Sequence, residues 1–223
     1  MAGLRALWRD RRVRFFVPAF GLLLVFTFVG GTQPHYPVFL LPLPFAAGVV
    51  AMERHLGRVW AGLFAVNGVV SAFIGLPLLA VGTVGSTPVP GVNPIVGDSV
   101  GWPAYVDQVT HAYDALPDPG HAVVLTSNYG EAGAVHHYAP DVPVYSAQNA
   151  LYDQARPPAT ATTVVVVGGQ YDQASRLFAS CRVVDHLESG TSVDNEEQGL
   201  PIAVCQAPKA PWTLLWPRLH HLD

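Results

Sequence analysis

The sequence predicts a membrane domain of three α-helices followed by an extracytoplasmic α/β domain with a mainly parallel sheet. Residues 15–97 contain no Asp, Glu, Lys or Arg apart from a short island at 53–58, whereas a soluble domain needs charges on its outward faces. Beyond this stretch, β-branched runs alternate with segments of helical periodicity, which is typical of α/β domains. The predicted boundaries are 1–85 for the membrane domain, 86–97 for a Pro/Gly linker and 98–223 for the α/β domain.

Three segments of the early chain are apolar enough for transmembrane helices: residues 15–31, 36–52 and 59–83. A hydrocarbon core about 30 Å thick needs roughly 17–25 apolar residues per helix. The first two segments are therefore near the short limit. Pro42 and Pro44 predict a kink in the second one.

Charge asymmetry predicts the orientation in a bacterial cell membrane. Seven arginines and two acids lie up to Arg58, and five basic residues against fourteen acids follow it. The positive-inside rule therefore places the N-terminus and the 53–58 loop in the cytoplasm. Three crossings then deliver the α/β domain to the extracytoplasmic side. Its acidic balance excludes a nucleic-acid partner, which would need a basic face.

The chain has two cysteines, Cys181 and Cys205, both in the α/β domain. An even number in an oxidising compartment favours a disulfide. Antiparallel pairing of strands near 182–187 and 201–205 would place the two cysteines opposite each other, and a bridge would stabilise the fold by roughly 3 kcal/mol. Two free buried thiols are the alternative.

The elements of the α/β domain follow from its apolar pattern. Helical spacing, with Pro103 suited to a first turn, predicts a helix over 102–116. Continuous β-branched runs, of which TTVVVV is the strongest, predict strands covered by helices on both faces, and hence a mainly parallel sheet. The predicted strands are 122–126, 142–145, 162–167, 182–187 and 202–205, and the other helices are 131–138 and 171–180.

The candidate functional site is the polar turn TSNYGEAGAVHHY at residues 126–138. In open α/β sheets, ligands bind beyond the carboxyl ends of the strands. Asn128, Tyr129 and Glu131 would lie there as part of a substrate site or an interface. The alternative is a local role, in which Ser127 or Asn128 caps the following helix and Tyr129 packs against the domain.

Other motifs give weaker functional signals. Residues 168–169 (GG) are interpreted as a strand-to-helix turn, because the G-x-G-x-x-G pattern is absent. The histidine pairs at 136–137 and 220–221 lack metal-ligand spacing, so no metal site is predicted. No G-x-S-x-G signature occurs, and DNEEQ at 194–198 is interpreted as a solvated loop. No catalytic residue and no cofactor is assigned within the chain.

Over nearly its whole length, the chain resembles the C-terminal part of bacterial protein-mannosyltransferase-like (GT-C) membrane glycosyltransferases. The most specific pieces are SNYGEAGA at 127–134 and NEEQGLPIAVC at 195–205. The resemblance implies transfer of a sugar from a polyprenyl-phosphate carrier to an extracytoplasmic acceptor. The lipid bilayer and the polyprenyl-phosphate-linked sugar are the implied partners. The alternative function is a non-catalytic, membrane-anchored binding or scaffolding module.

The resemblance also implies what this chain lacks. Family members are much longer, with catalytic carboxylates in their first extracytoplasmic loop, and residues 32–35 here contain none. The chain is therefore expected to be a terminal portion that begins at an internal or alternative Met and is inactive unless paired with a catalytic half. The family's Lys before the Tyr of the second span is replaced by QPH, leaving His35 and Tyr36 as candidate carrier contacts. A divalent metal is left open for the longer enzyme.

Overall fold

A computed structural model describes residues 1–30, 36–53 and 57–222 of the chain. Contacts divide the chain into an N-terminal unit, Met1–Ala72, and a C-terminal unit, Phe73–Asp223.

The N-terminal unit is made of apolar helices. A Cβ atom on Gly3 would overlap the carbonyl oxygen of Pro44, so the first helix approaches the third closely only because it has glycine there. The helices are α1 (Ala2–Arg9), α2 (Phe16–Val29), a 3-10 helix (Tyr36–Leu40), α3 (Pro42–Met52) and α4 (Arg58–Gly75), whose last residues belong to the C-terminal unit.

The prediction of three membrane spans is wrong. Within the described residues one helix, α4, is long and apolar enough to cross a membrane, with 18 residues and a mean hydropathy of 1.4. The 14 residues of α2 extend about 21 Å at about 1.5 Å each, which is less than a hydrocarbon core of about 30 Å. Prolines shorten the other predicted spans. Pro42 begins α3 after the 3-10 helix, and Pro77 follows the end of α4 at Gly75, well before residue 83.

The C-terminal unit is built on a five-stranded sheet with the order β2-β1-β3-β5-β4. The strands are β1 (Ala122–Thr126), β2 (Val144–Ser146), β3 (Thr163–Val167), β4 (Phe178–His186) and β5 (Pro201–Pro208). The α-helices are α5 (Val81–Val84), α6 (Val89–Val92), α7 (Pro94–Asp98), α8 (Trp102–Asp114), α9 (Tyr129–Tyr138), α10 (Leu151–Gln154), α11 (Tyr171–Ser175) and α12 (Trp212–Leu215), and 3-10 helices cover Pro119–His121 and Trp216–Arg218.

The prediction of a mainly parallel sheet is also wrong, because the sheet is mixed. β1 runs parallel to β2 and β3, but β5 runs antiparallel to both β3 and β4. A buried β-branched run fits between two layers whichever way its neighbour runs, so TTVVVV predicts the burial of β3 and not the direction of β5. In the observed register Cys181 lies opposite Cys205, and a disulfide joins them.

Alternate residues of β3 contribute to two apolar clusters, as the two-residue period of a strand requires. Val164 and Val166 pack in the cluster that contains Trp212 of α12. Val165 and Val167 pack in the cluster that contains the buried face of α8. All four valines are at most 2% exposed. This two-sided core fixes the edge of the sheet at which the polar residues collect.

Candidate functional site

Polar side chains collect at the edge of the sheet where the three parallel strands end. β1 ends at Thr126, β2 at Ser146 and β3 at Val167, and because these strands are parallel their carboxyl ends share one edge. Ser127 joins two of these ends. Its Oγ donates to the carbonyl oxygen of Val167 at 2.7 Å and accepts from the backbone N–H of Gln170 at 2.7 Å.

Asn128 and Glu131 form a capping box at the start of α9. The Asn128 side chain accepts a hydrogen bond from the backbone N–H of Glu131 at 2.8 Å. The Oε2 atom of Glu131 accepts from the backbone N–H groups of Ser127 and Asn128 at 2.6 and 3.2 Å. The local capping role expected as an alternative is therefore present. It does not account for the second contact of Asn128, whose Nδ2 donates to Oε1 of Glu197 at 2.9 Å.

Glu131 and Glu197 form a buried pair of carboxyl groups. Their side chains belong to residues only 3% and 6% exposed, and within the described residues neither forms an ion pair with Lys, Arg or His. Burial raises the pKa of Glu131 well above its ordinary value, and the nearby charge of Glu197 raises it further. Oε1 of Glu131 and Oε2 of Glu197 are buried and have no hydrogen-bond partner within the described residues. Carboxylates only accept, so a proton on one of the two groups would let it donate to the other, and the raised pKa of Glu131 favours such a proton.

Position 168, beside Glu131 and Glu197, requires a glycine. Its φ of +88° lies in the left-handed region, which side chains with a Cβ adopt at a cost. A Cβ atom there would also overlap Oε1 of Glu131 and lie 2.7 Å from Oγ of Ser127. Gly168 and Gly169 thus make the strand-to-helix turn that the sequence predicts. The absence of a side chain on Gly168 leaves the space that the Glu131 carboxyl group fills.

His221, near the C-terminus of the chain, borders the site. Its Nε2 lies 2.9 Å from the carbonyl oxygen of Ser127, and its Nδ1 lies 2.9 Å from the carbonyl oxygen of Leu219. The amide of Gln170 contacts Nδ1 of His221 at 2.6 Å and donates to the carbonyl oxygen of Leu219 at 2.7 Å. His221 also forms an isolated parallel bridge with Gln148. The sequence analysis considered this histidine only when weighing and rejecting a metal site, and the contacts given above are with backbone and amide groups.

Tyr129 is the accessible residue of the site. It is 67% exposed, while its backbone N–H donates to Oε1 of Gln148 at 2.7 Å. The residue borders a cleft of about 330 Å³ between α9, β2 and α10. The alternative in which Tyr129 packs against the domain is therefore not what the structure shows.

Three of the five predicted site residues lie together: Asn128, Tyr129 and Glu131. Tyr36 begins the 3-10 helix of the N-terminal unit, and His35 lies outside the described residues. Their suggested contact with the carrier phosphate stays a prediction.

Glu197 is the site residue that the sequence analysis missed. The interpretation of 194–198 as a solvated loop is wrong for Glu197, which is buried, and for Asn195, whose Oδ1 accepts from the Tyr105 hydroxyl at 2.9 Å. The reason is the direction of β5. Because β5 is antiparallel to β3, with Ile202 opposite Val167, the residues before β5 lie at the carboxyl edge of β3. A parallel β5 would have placed them at the opposite edge.

Both glutamates of the site are buried, at 3% and 6% exposure, so neither carboxyl group is open to solvent in this structure. Within the part of the chain that the structure describes, no three His, Cys, Asp or Glu side chains gather as a metal site. A scan of protein-family models, a search of curated proteins and a search of solved structures each find no match to this chain.

Proposed function

We propose that this chain acts in glycosyl transfer at a bacterial membrane. In this proposal it is the portion of a polyprenyl-phosphate-sugar-dependent glycosyltransferase that carries a non-catalytic extracytoplasmic domain. One observation carries the proposal: the two most specific pieces of the family resemblance meet in one site. Asn128, from SNYGEAGA, donates to Glu197, from NEEQGLPIAVC, at 2.9 Å across 69 positions of sequence.

This contact supports the family resemblance by something other than shared hydrophobicity. Apolar spans resemble one another in unrelated membrane proteins because lipid selects for composition. The residues that build the site are instead polar, and the two pieces meet in it: Glu197 lies beside the buried Glu131 and raises its pKa, and Asn128 connects the cap to the loop. A chain that contains both sequence segments therefore contains the complete site.

The domain is proposed as non-catalytic because the resemblance implies catalytic carboxylates in another region and the two glutamates of the site are buried. The implied reaction is a displacement at the anomeric carbon, in which an acceptor hydroxyl forms the new bond, the carrier phosphate leaves, and a carboxylate takes the hydroxyl proton. The resemblance implies that this carboxylate lies in the first extracytoplasmic loop of the longer family members. It is therefore assigned to a catalytic half, and the C-terminal unit, whose site glutamates are only 3% and 6% exposed, is assigned to the acceptor side.

Three features support an extracytoplasmic position for the C-terminal unit. The chain before α4 is rich in arginine, and the chain after it is acidic, which under the positive-inside rule places the N-terminus in the cytoplasm. α4 has the length and composition of a membrane span. The disulfide between Cys181 and Cys205 suits an oxidising compartment.

Carrier binding tests the proposed function. The full chain is reconstituted in lipid nanodiscs and titrated with radiolabelled decaprenyl-phosphate mannose and decaprenyl-phosphate glucose. We expect saturable binding of at least one of them, weakened by Tyr36→Ala if the expected carrier contact is made. Tyr138→Ala, an exposed tyrosine of the other unit that does not line the cleft beside Tyr129, is the matched control and should bind the carrier as the unchanged chain does. Binding no greater than in empty nanodiscs would refute the glycosyl-transfer role and favour the scaffolding alternative.

A further inference from the structure

The cleft beside Tyr129 has the shape and position of a ligand site. Its volume of about 330 Å³ is at the small end of the range for small-molecule pockets. It is bordered by α9, β2 and α10 at the carboxyl edge of the parallel strands, the edge at which α/β folds bind ligands. Among the described residues, the hydrogen-bond partners of Glu131 and Glu197 do not line the cleft, so the cleft is separate from this pair of glutamates.

One face of α9 forms a wall of the cleft. Tyr129, Gly133 and His136 lie at helix positions i, i+4 and i+7 and therefore share that face. The ring of Tyr129 is largely exposed although hydrogen bonding fixes its backbone. Gly133 leaves a gap in the wall, because a Cβ atom there would meet nothing within 4 Å. A ligand can thus lie against Tyr129 and approach the helix backbone at Gly133.

The chemistry of the lining selects an uncharged ligand. No residue lining the cleft carries a carboxylate, an ammonium or a guanidinium group, and His136 is the one titratable base in the lining, so a phosphate or a carboxylate would find at most one counter-charge there. The lining combines the rings of Tyr129 and Tyr145 with the hydrogen-bonding groups of Ser146, Gln154 and His136. A pyranose has the matching character, with an apolar face of C–H groups that stacks on an aromatic ring and a rim of hydroxyls that hydrogen-bonds.

We infer that this cleft binds an uncharged pyranose, with Tyr129 as the stacking residue. The inference deepens the proposed function by naming a saccharide as the acceptor class. Only this biological role rests on the proposed function, and the binding of a saccharide in the cleft does not. The sugar could be part of the acceptor or of the lipid carrier. The two sources share their chemistry and are separated by competition.

Saccharide binding by the full chain in nanodiscs tests the inference. Saturation-transfer NMR is recorded with methyl glycosides of mannose, glucose and galactose and with short mannose oligosaccharides. We expect saturation transfer to the ring C–H protons of at least one saccharide. Tyr129→Ala should weaken binding by about tenfold or more, because an exposed aromatic ring is a common centre of binding energy.

Two further variants keep the test independent of folding. Gly133→Leu should abolish binding by filling the cleft, and it should not harm the fold, because the position is open and leucine is the better helix former. Tyr138→Ala is the matched control, because Tyr138 is half-exposed on the same helix and does not line the cleft. Its binding should equal that of the unchanged chain.

The outcomes separate this inference from the proposed function. Decaprenyl-phosphate mannose that displaces the bound glycoside would assign the cleft to the carrier sugar, and failure to displace it would assign the cleft to the acceptor. Absence of any saturable saccharide binding, or binding that Tyr129→Ala and Gly133→Leu leave unchanged, would overturn the inference. Either result leaves carrier binding through the N-terminal unit as a separate measurement.

Discussion

Replacing Glu131 by glutamine tests whether the buried acid pair holds a proton. Glutamine has the same shape, its oxygen can accept from the backbone N–H groups of Ser127 and Asn128, and its amide can donate to Glu197 as a protonated carboxyl does. We therefore expect Glu131→Gln to be within about 1 kcal/mol of the unchanged protein at acid pH. Glu131→Ala, which removes the acceptor of both N–H groups and half of the capping box, should cost about 2–4 kcal/mol.

The pH dependence gives the sharper expectation. The pKa of Glu131 in the folded protein is raised above its ordinary value of 4.5, because the group is buried beside Glu197. The folded state thus keeps a proton that the unfolded state releases. The resulting stability is fully present below the unfolded pKa and is lost as pH rises through the folded pKa, at up to about 1.4 kcal/mol per pH unit. Glu131→Gln cannot titrate, so this slope should disappear and the variant should become the more stable protein at high pH.

Unfolding by guanidinium chloride, followed by tryptophan fluorescence of the full chain in detergent between about pH 5 and pH 8, measures this slope. Glu196→Gln is the matched control, because Glu196 is the exposed neighbour of Glu197 on the same loop. It removes one acid and should leave the slope unchanged. Equal slopes for Glu131→Gln and the unchanged protein would refute the raised pKa of Glu131 and the proton that it favours.

Three further predictions follow from the fold. Gly168→Ala should lower the free energy of unfolding by at least about 2 kcal/mol, because of the strained φ and the overlap with Glu131. Gly169→Ala is the control and should change the free energy of unfolding little, because nothing lies within 4 Å of a Cβ atom there. Equal effects of the two variants in denaturation would contradict this. Replacing Cys181 and Cys205 with serine should cost about 3 kcal/mol, and a reducing agent should then no longer affect stability. Protease added to intact spheroplasts should cut the C-terminal unit, and resistance there with cleavage in inside-out vesicles would invert the proposed topology.

Local patterns predict several of the α/β elements, but the predicted helix 171–180 is wrong beyond Ser175, because β4 begins at Phe178. TTVVVV becomes the buried strand β3, Pro103 lies in the first turn of α8, and N-x-x-E at 128–131 forms the cap of α9. Each of these features depends on neighbouring residues alone: β-branched burial, a fixed proline φ and a reciprocal cap. The turn at the end of β1 was identifiable as a candidate site for the same reason.

Strand direction and span length depended on information that the local patterns lack. The direction of β5 is decided by how the chain returns after β4, and this direction places Glu197 at the site. Hydropathy over 15–31, 36–52 and 59–83 counts apolar residues but not the proline-defined breaks that end helices. Composition therefore overestimated the number of membrane spans.

The position of β5 has a consequence for biosynthesis. This strand is the last of the five along the chain, yet it lies between β3 and β4, and within the described residues β4 pairs with no other strand. While the ribosome has not yet released residues 201–208, β4 is an unpaired edge, and one side of β3 is open to intermolecular pairing. A nascent chain that stops before Pro201 is thus a substrate for chaperones or aggregation, and the Asn128–Glu197 hydrogen bond is expected to form as β5 brings the preceding loop to the carboxyl edge of β3.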